Sequence, residues 1–186
     1  MTLDLAEIAR LFAERGELAY AGEAVTQREH ALQCAWLAEQ ADADDALVTA
    51  ALLHDLGHLL IAEHQTLSQS PTELGIDDRH QHIALPLLRG AFGVEVREPI
   101  RLHVDAKRYL CATRPGYVSR LSPDSVRSLA LQGGVMDAEA AQRFASHRWA
   151  GDAVRLRWWD EEAKVAGLAT PPLSHFLAIA ARVMLR

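Results

Sequence analysis

The 186-residue chain has two cysteines, few aromatic side chains and no long apolar run, and each shortage excludes something. Cys34 and Cys111 are too few for a disulfide framework, and their spacing suggests no thiolate metal site. They read as small, partly buried apolar residues. No apolar stretch has membrane-spanning length. Met1-Thr2-Leu3-Asp4 gives no basic region followed by an apolar run, so a secretory signal is not expected and the expected location is the cytoplasm. A basic surplus is missing as well. Nineteen Lys and Arg stand against 25 Asp and Glu, a formal charge of −6, which argues against a nucleic-acid backbone as main partner. Internal repeats, low-complexity tracts and linkers are also missing. With 49% hydrophobic and 24% charged residues, residues 1–186 are expected to bury one core as a single domain.

What the chain does have is helical periodicity. Leu5, Ile8, Leu11 and Phe12 predict a helix over Asp4 to Arg15. Thr26 with Glu29 forms a capping-box signature for a helix through Leu32 and Trp36 to about Ala41. Ala46 to Leu60 is apolar nearly all round, which predicts one central buried helix in which Gly57 permits close approach. Glu63 to Asp78, with Pro71 and Gly75, reads as a loop. Helices are expected over His80 to Gly90, with a bend at Pro86, and over Glu95 to Leu110. Ser122-Pro123 opens another, closed by Gln132-Gly133-Gly134. Asp137 to Trp149, Ala150 to Asp160, and Leu173 to Leu185 opened by Ser174 complete an all-α bundle.

The chemistry lies among nine histidines. His54-Asp55 ends an apolar run on a buried segment, where a carboxylate must be paired or bound to a cation. Neighbours on a helix point about 100° apart, yet both can reach one ion or bridge two, because a carboxylate spans metals roughly 3.5–4 Å apart. His30, His80, His103 and Asp160 are further candidates on other helices, and imidazoles with carboxylates suit iron, zinc or manganese. His64, His82, His147 and His175 read as surface or satisfied core residues. An oxyanion ligand needs cationic donors. Lys107 sits one turn after His103, and His58 one turn after His54, so each shares the face of a candidate ligand. Trp36, Trp149, Trp158 and Trp159 read as packing residues, although an aromatic lining the pocket would suit an N-methylated ligand.

The order His30, His54-Asp55 and a distant Asp resembles the ligand set of the HD-domain superfamily, and His80 and His103 resemble its two-metal members. Tyr20-Ala21-Gly22-Glu23-Ala24, Leu53 to His58, His103 to Leu110 and Gln132 to Asp137 are similar to the organophosphonate-oxidising branch, over about residues 8 to 165. The resemblance implies an HD-domain helical bundle with two iron ions, Fe(II) and Fe(III). One iron would be held by His30, His54, Asp55 and Asp160, the other by His80, His103 and the bridging Asp55. It implies O2-dependent C–P cleavage of a small 1-hydroxy-2-aminoethylphosphonate or an N-methylated analogue, giving phosphate and glycine or a glycine betaine-like acid. His58, Lys107, Ser125 and Gln132 would contact the phosphonate, while Arg108 is expected to face solvent. Tyr20 and Glu23 would form a lid, with Glu23 meeting the substrate ammonium. The competing expectation is a metal-dependent phosphohydrolase acting on a small phosphate ester, which the six ligands alone do not separate from an oxygenase.

Overall fold

The computed structural model describes residues 2–20, 22–61 and 71–185. Residues 62–70, which include His64 and much of the expected loop, lie outside them, as does Ala21. Among the described residues there are helices and two isolated β-bridges but no strand. None of those helices is long and apolar enough to cross a membrane.

α1 (Leu5–Arg15) opens on a capping box between Asp4 and Glu7 and buries Ile8, Leu11 and Phe12. α2 (Gln27–Gln40) opens on the expected box of Thr26 and Glu29, which places His30 on its inner face. α3 (Asp45–Leu53) is capped by Asp44 and buries every residue from Ala46 to Leu53. A helix apolar all round needs neighbours on all sides, and α3 packs against α2, α7 (Val94–Thr113), α10 (Ala150–Glu162) and α11 (Leu173–Arg182). Each buried leucine there contributes roughly 2 kcal/mol, so the centre of the bundle is fixed where α3 ends.

The structure departs from the sequence expectation at that end. The single helix expected over 46–60 is interrupted: α3 stops at Leu53 and α4 (Leu56–Leu60) begins after Asp55, whose backbone (φ −102°, ψ 13°) leaves the helical region. The interruption turns two neighbours that a continuous helix would splay apart onto one point, with His54 Nε2 3.3 Å from Asp55 Oδ2. Gly57 does what close approach requires. A Cβ there would lie 2.1 Å from the His80 carbonyl oxygen, so only glycine lets α5 (His80–Ile83) lie against α4.

The expected helix over 80–90 is likewise split, into α5 and α6 (Leu85–Leu88), because Pro86 lacks an N–H and disfavours helix just before it. α8 (Pro123–Leu131) has Ser122 as N-cap and proline in its first turn as expected. α9 (Ala138–Ala145) stops short of Trp149: the Ser146 hydroxyl donates to the Gln142 carbonyl and the Trp149 N–H donates to His147 Nδ1. α11 is preceded by Pro172, and Ser174 does not cap it.

Candidate metal centre

Six side chains from five parts of the chain meet at the end of α3. His30 comes from α2, His54 and Asp55 from the α3–α4 interruption, His80 from the start of α5, His103 from α7 and Asp160 from α10, and all are buried. Asp55 is the hub. Its Oδ2 faces His54 Nε2 at 3.3 Å and His30 Nε2 at 3.6 Å. Its Oδ1 faces His80 Nε2 at 3.3 Å and His103 Nε2 at 3.7 Å. Asp160 Oδ1 lies 3.5 Å from His30 Nε2. The two oxygens of one carboxylate thus head two donor groups, one of His30, His54 and Asp160 and one of His80 and His103.

Ring orientation tests whether these donors fit metal. The Nδ1 atoms of His30, His54 and His103 face the carbonyls of Ala163, Ala51 and Ile100 at 2.8, 2.9 and 2.7 Å, and His80 Nδ1 faces Asp78 Oδ1 at 2.9 Å. Carbonyls and carboxylates only accept, so Nδ1 carries the proton and Nε2 offers a lone pair. Yet His30 and His54 bring their Nε2 atoms within 3.2 Å, and His80 and His103 within 3.1 Å. Lone pairs facing at that distance repel unless a cation lies between them. Protonation relieves this only in part. Burial holds His30 at about 4 and pushes His103 well below its usual range. Burial also opposes charge on His54, though Asp55, Asp160 and the Ala51 carbonyl together outweigh it and the net direction is upward. A divalent cation in each donor group satisfies the nitrogens and both carboxylates together, and imidazole with carboxylate suits a transition metal.

The surrounding residues orient these donors, and here sequence reading missed several. Asp78 holds two rings at once, His80 through Nδ1 at 2.9 Å and His58 through Nδ1 at 3.0 Å, which stacks them with centroids 4.1 Å apart. Arg157, buried one turn before Asp160, places NH1 2.5 Å from Asp160 Oδ2, pairs with Glu161 and donates to the Tyr117 hydroxyl at 3.1 Å. Cys34 lies one turn after His30, with Sγ 3.7 Å from His30 Nε2, and burial raises its thiol well above the usual range. His80's partner at position i−2 and Cys34's i+4 spacing were visible signals, whereas Arg157 stood too close to its carboxylate in sequence to look like more than a helix-face pair.

A cavity of about 700 Å³ opens onto Asp55, His80, His103 and Asp160. On the His103 side stand Lys107, Ser125, Ser128 and Gln132. Lys107 is buried and donates to Ser128 Oγ at 2.6 Å; burial brings its ammonium down to about 7. Gln132 turns a buried Oε1 with no hydrogen-bond partner among the described atoms. On the His30 side Tyr20 stacks on the His30 ring at 3.9 Å; burial, then Asp55 and Asp160, raise its hydroxyl well above the usual tyrosine range. Glu23 lines the same side and has a partner that the sequence did not suggest, Lys164, with Nζ 3.4 Å from Oε1. His58, with its ring nitrogen 3.9 Å from Asp55 Oδ1, also faces the cavity.

Other residues fall where expected or elsewhere. Arg108 is not on the cavity: it clasps the Gly133 and Gly134 carbonyls, closing the turn after α8. His82 and His175 are exposed, and His147 sits 3.9 Å from Glu98. Among the described residues no tryptophan lines the cavity. Trp159 is buried in the main core, Trp36 packs against that core, and Trp149 and Trp158 pack in smaller clusters.

Comparison with known proteins agrees with this geometry. A family model described as HD domain matches residues 28–141. The chain is 46% identical to the hydroxymethylphosphonate dioxygenase of Gimesia maris over 167 residues, 89% of this chain and 81% of that one. It is 40% identical to the glycine-betaine-forming 1-hydroxy-2-(trimethylamino)ethylphosphonate dioxygenase of Leisingera caerulea over 177 residues, 95% of this chain and 88% of that one. An uncharacterised protein of Acanthamoeba polyphaga mimivirus is 33% identical over 91% of this chain and 76% of its own length. The chain belongs to the HD-domain family, in the branch that contains these phosphonate dioxygenases.

Proposed function

We propose that the chain is a phosphonate dioxygenase that cleaves the C–P bond of a small 1-hydroxyalkylphosphonate with O2. One O2 is consumed for each phosphate released, and the hydroxyl-bearing carbon leaves as a carboxylic acid: formate from hydroxymethylphosphonate, glycine or glycine betaine from the aminoethyl compounds. The observation that carries the reading is the convergence of four histidines on the two oxygens of Asp55, with Asp160 against His30, in a chain 46% and 40% identical to two phosphonate dioxygenases along most of its length.

His30, His54, Asp55 and Asp160 would hold one iron, and His80 and His103, with Asp55 shared, would hold the other. Iron held there as an Fe(II) and Fe(III) pair would supply the oxygen-activating redox chemistry. The protein binds, orients and excludes water. Lys107, supported by Ser128, meets the phosphonate oxygens together with Ser125 and Gln132, whose buried Oε1 awaits a donor such as a protonated phosphonate oxygen or the substrate hydroxyl. His58, braced by Asp78, stands beside the second donor group and donates to the same anion. Tyr20, stacked on His30, covers the first donor group as a lid. Excluding water in this way protects the metal from oxidation without substrate.

The test is anaerobic loading with ferrous iron followed by O2 and one of three compounds: hydroxymethylphosphonate, 2-amino-1-hydroxyethylphosphonate or its N-trimethyl analogue. Phosphate released in step with O2 uptake from at least one of them is the expected result. Phosphate from a phosphate ester without O2 uptake, and none from any of the three, would sink the oxygenase in favour of a hydrolase.

A further inference from the structure

Two dioxygenases similar to this chain act, by their names, on substrates that differ at the end remote from phosphorus: one carries only hydrogen there, the other a trimethylammonium. The cavity has a place where that difference would be felt. Its His103 side is the anion-binding end, with Lys107 on Ser128. Its His30 side carries Glu23, the carboxylate a cationic substituent would seek, and that carboxylate already has an ammonium 3.4 Å away on Lys164. Lys164 is fixed there by the fold. It directly follows Ala163, whose carbonyl orients the His30 ring, and its Nζ is shared with Glu161 at 3.5 Å. Both side chains are largely sheltered, with 12% and 16% of their side-chain surface exposed, so water screens the pair weakly.

We propose that Lys164 is a specificity-determining residue, neutralising Glu23 so that the cavity discriminates between phosphonates with a neutral and a cationic far end. The proposal rests on the phosphonate reading above. A hydroxymethylphosphonate leaves the pair undisturbed. A substrate bearing an ammonium must either displace Lys164 from Glu23 or sit beside a like charge, and either lowers its affinity relative to the neutral compound. Among the described residues Tyr20 is the one Phe, Tyr or Trp on the lining, short of the several rings of an aromatic cage, the other device that would hold a quaternary ammonium.

The experiment measures anaerobic binding of hydroxymethylphosphonate and of the N-trimethylated compound to the iron-loaded protein by calorimetry, in wild type, K164Q, K164R and E23Q, with phosphate release as a second readout. In K164Q the Kd ratio, trimethylated over hydroxymethyl, falls roughly tenfold, because Glu23 is left free to receive the cation. In E23Q it rises by a similar factor, because the Lys164 ammonium is no longer neutralised by a carboxylate at position 23. K164R stays within about twofold of wild type. Opposite movements are what a merely structural role would not produce, and E23Q tests the idea alone if K164Q does not fold. A ratio unchanged in both K164Q and E23Q, with both compounds bound and phosphate still released, overturns the role of Lys164 while the dioxygenase stands. A wild type that binds neither compound and releases no phosphate overturns both.

Discussion

Gly57→Ala gives a sharp test of how the second donor group is built, because two physical effects oppose each other in sign. Alanine favours a helix over glycine by up to about 1 kcal/mol, so propensity alone predicts a stabilised α4. The structure predicts otherwise. The new methyl would sit 2.1 Å from the His80 carbonyl oxygen, 2.8 Å from its carbon and 2.9 Å from its Cα, all backbone atoms that no rotamer change can move. Ordinary contact needs a separation larger by about 1 Å, so α5 must move away, at roughly 1–3 kcal/mol for overpacking of this kind. The net is about 1–2 kcal/mol of destabilisation, or a fall of roughly 5 °C in Tm for a chain of this size. The same displacement carries His80 Nε2 away from Asp55 Oδ1, now 3.3 Å apart, whereas metal ligands tolerate only about 0.2 Å. The variant is therefore expected to retain one equivalent of iron where two are expected of the wild type, measured by chelator titration after anaerobic loading, and to lose phosphate release. A variant with unchanged or raised Tm and two iron equivalents would refute the role assigned to this contact.

Asp78→Asn keeps the shape but offers only one accepting oxygen to two Nδ1 donors, so iron affinity at the His80 and His103 position should fall roughly 10–100-fold with Tm little changed, read by competition with a chelator. Burial brings Lys107 down to about 7, so its ammonium is present below that pH and lost above it. Binding of a hydroxyalkylsulfonate, whose own charge does not change in this range, should therefore weaken as the pH rises through about 7, and K107R should flatten that profile. Arg157→Met strands the buried Asp160 and Glu161 carboxylates and should lower the stability of the iron-free protein by about 3–5 kcal/mol in denaturant unfolding, with part regained on iron loading.

The helices that were legible in the sequence are those whose ends are decided locally. Thr26 with Glu29 and Ser122 with Pro123 are start signals that operate within one turn, and both sit where the pattern placed them. The interruption at His54-Asp55 was not legible, since no proline or glycine marks it. It exists because a buried imidazole and carboxylate must both face the donor cluster, a tertiary demand that overrides an apolar helical run. The six donors were recognisable by their order in the chain, through a resemblance and not through spacing. Their partners were harder to see. Ser128 reaches Lys107 across 21 residues and Lys164 reaches Glu23 across 141, and no local period links such positions.

The last turns of α10 show why the metal and substrate ends of the cavity are not independent. Arg157 holds Asp160, Asp160 faces His30, the Ala163 carbonyl sets the tautomer of His30, and Lys164 neutralises Glu23, all within eight consecutive residues. One donor, the orientation of another and the charge at the far end of the cavity therefore move as a unit. That unit is anchored from outside the site: Trp159 is buried in the main core, and Trp158 packs edge-on against Tyr117, whose hydroxyl accepts from Arg157. The adjacent tryptophans contribute to chemistry only through position, by holding α10 where its polar face meets Asp55.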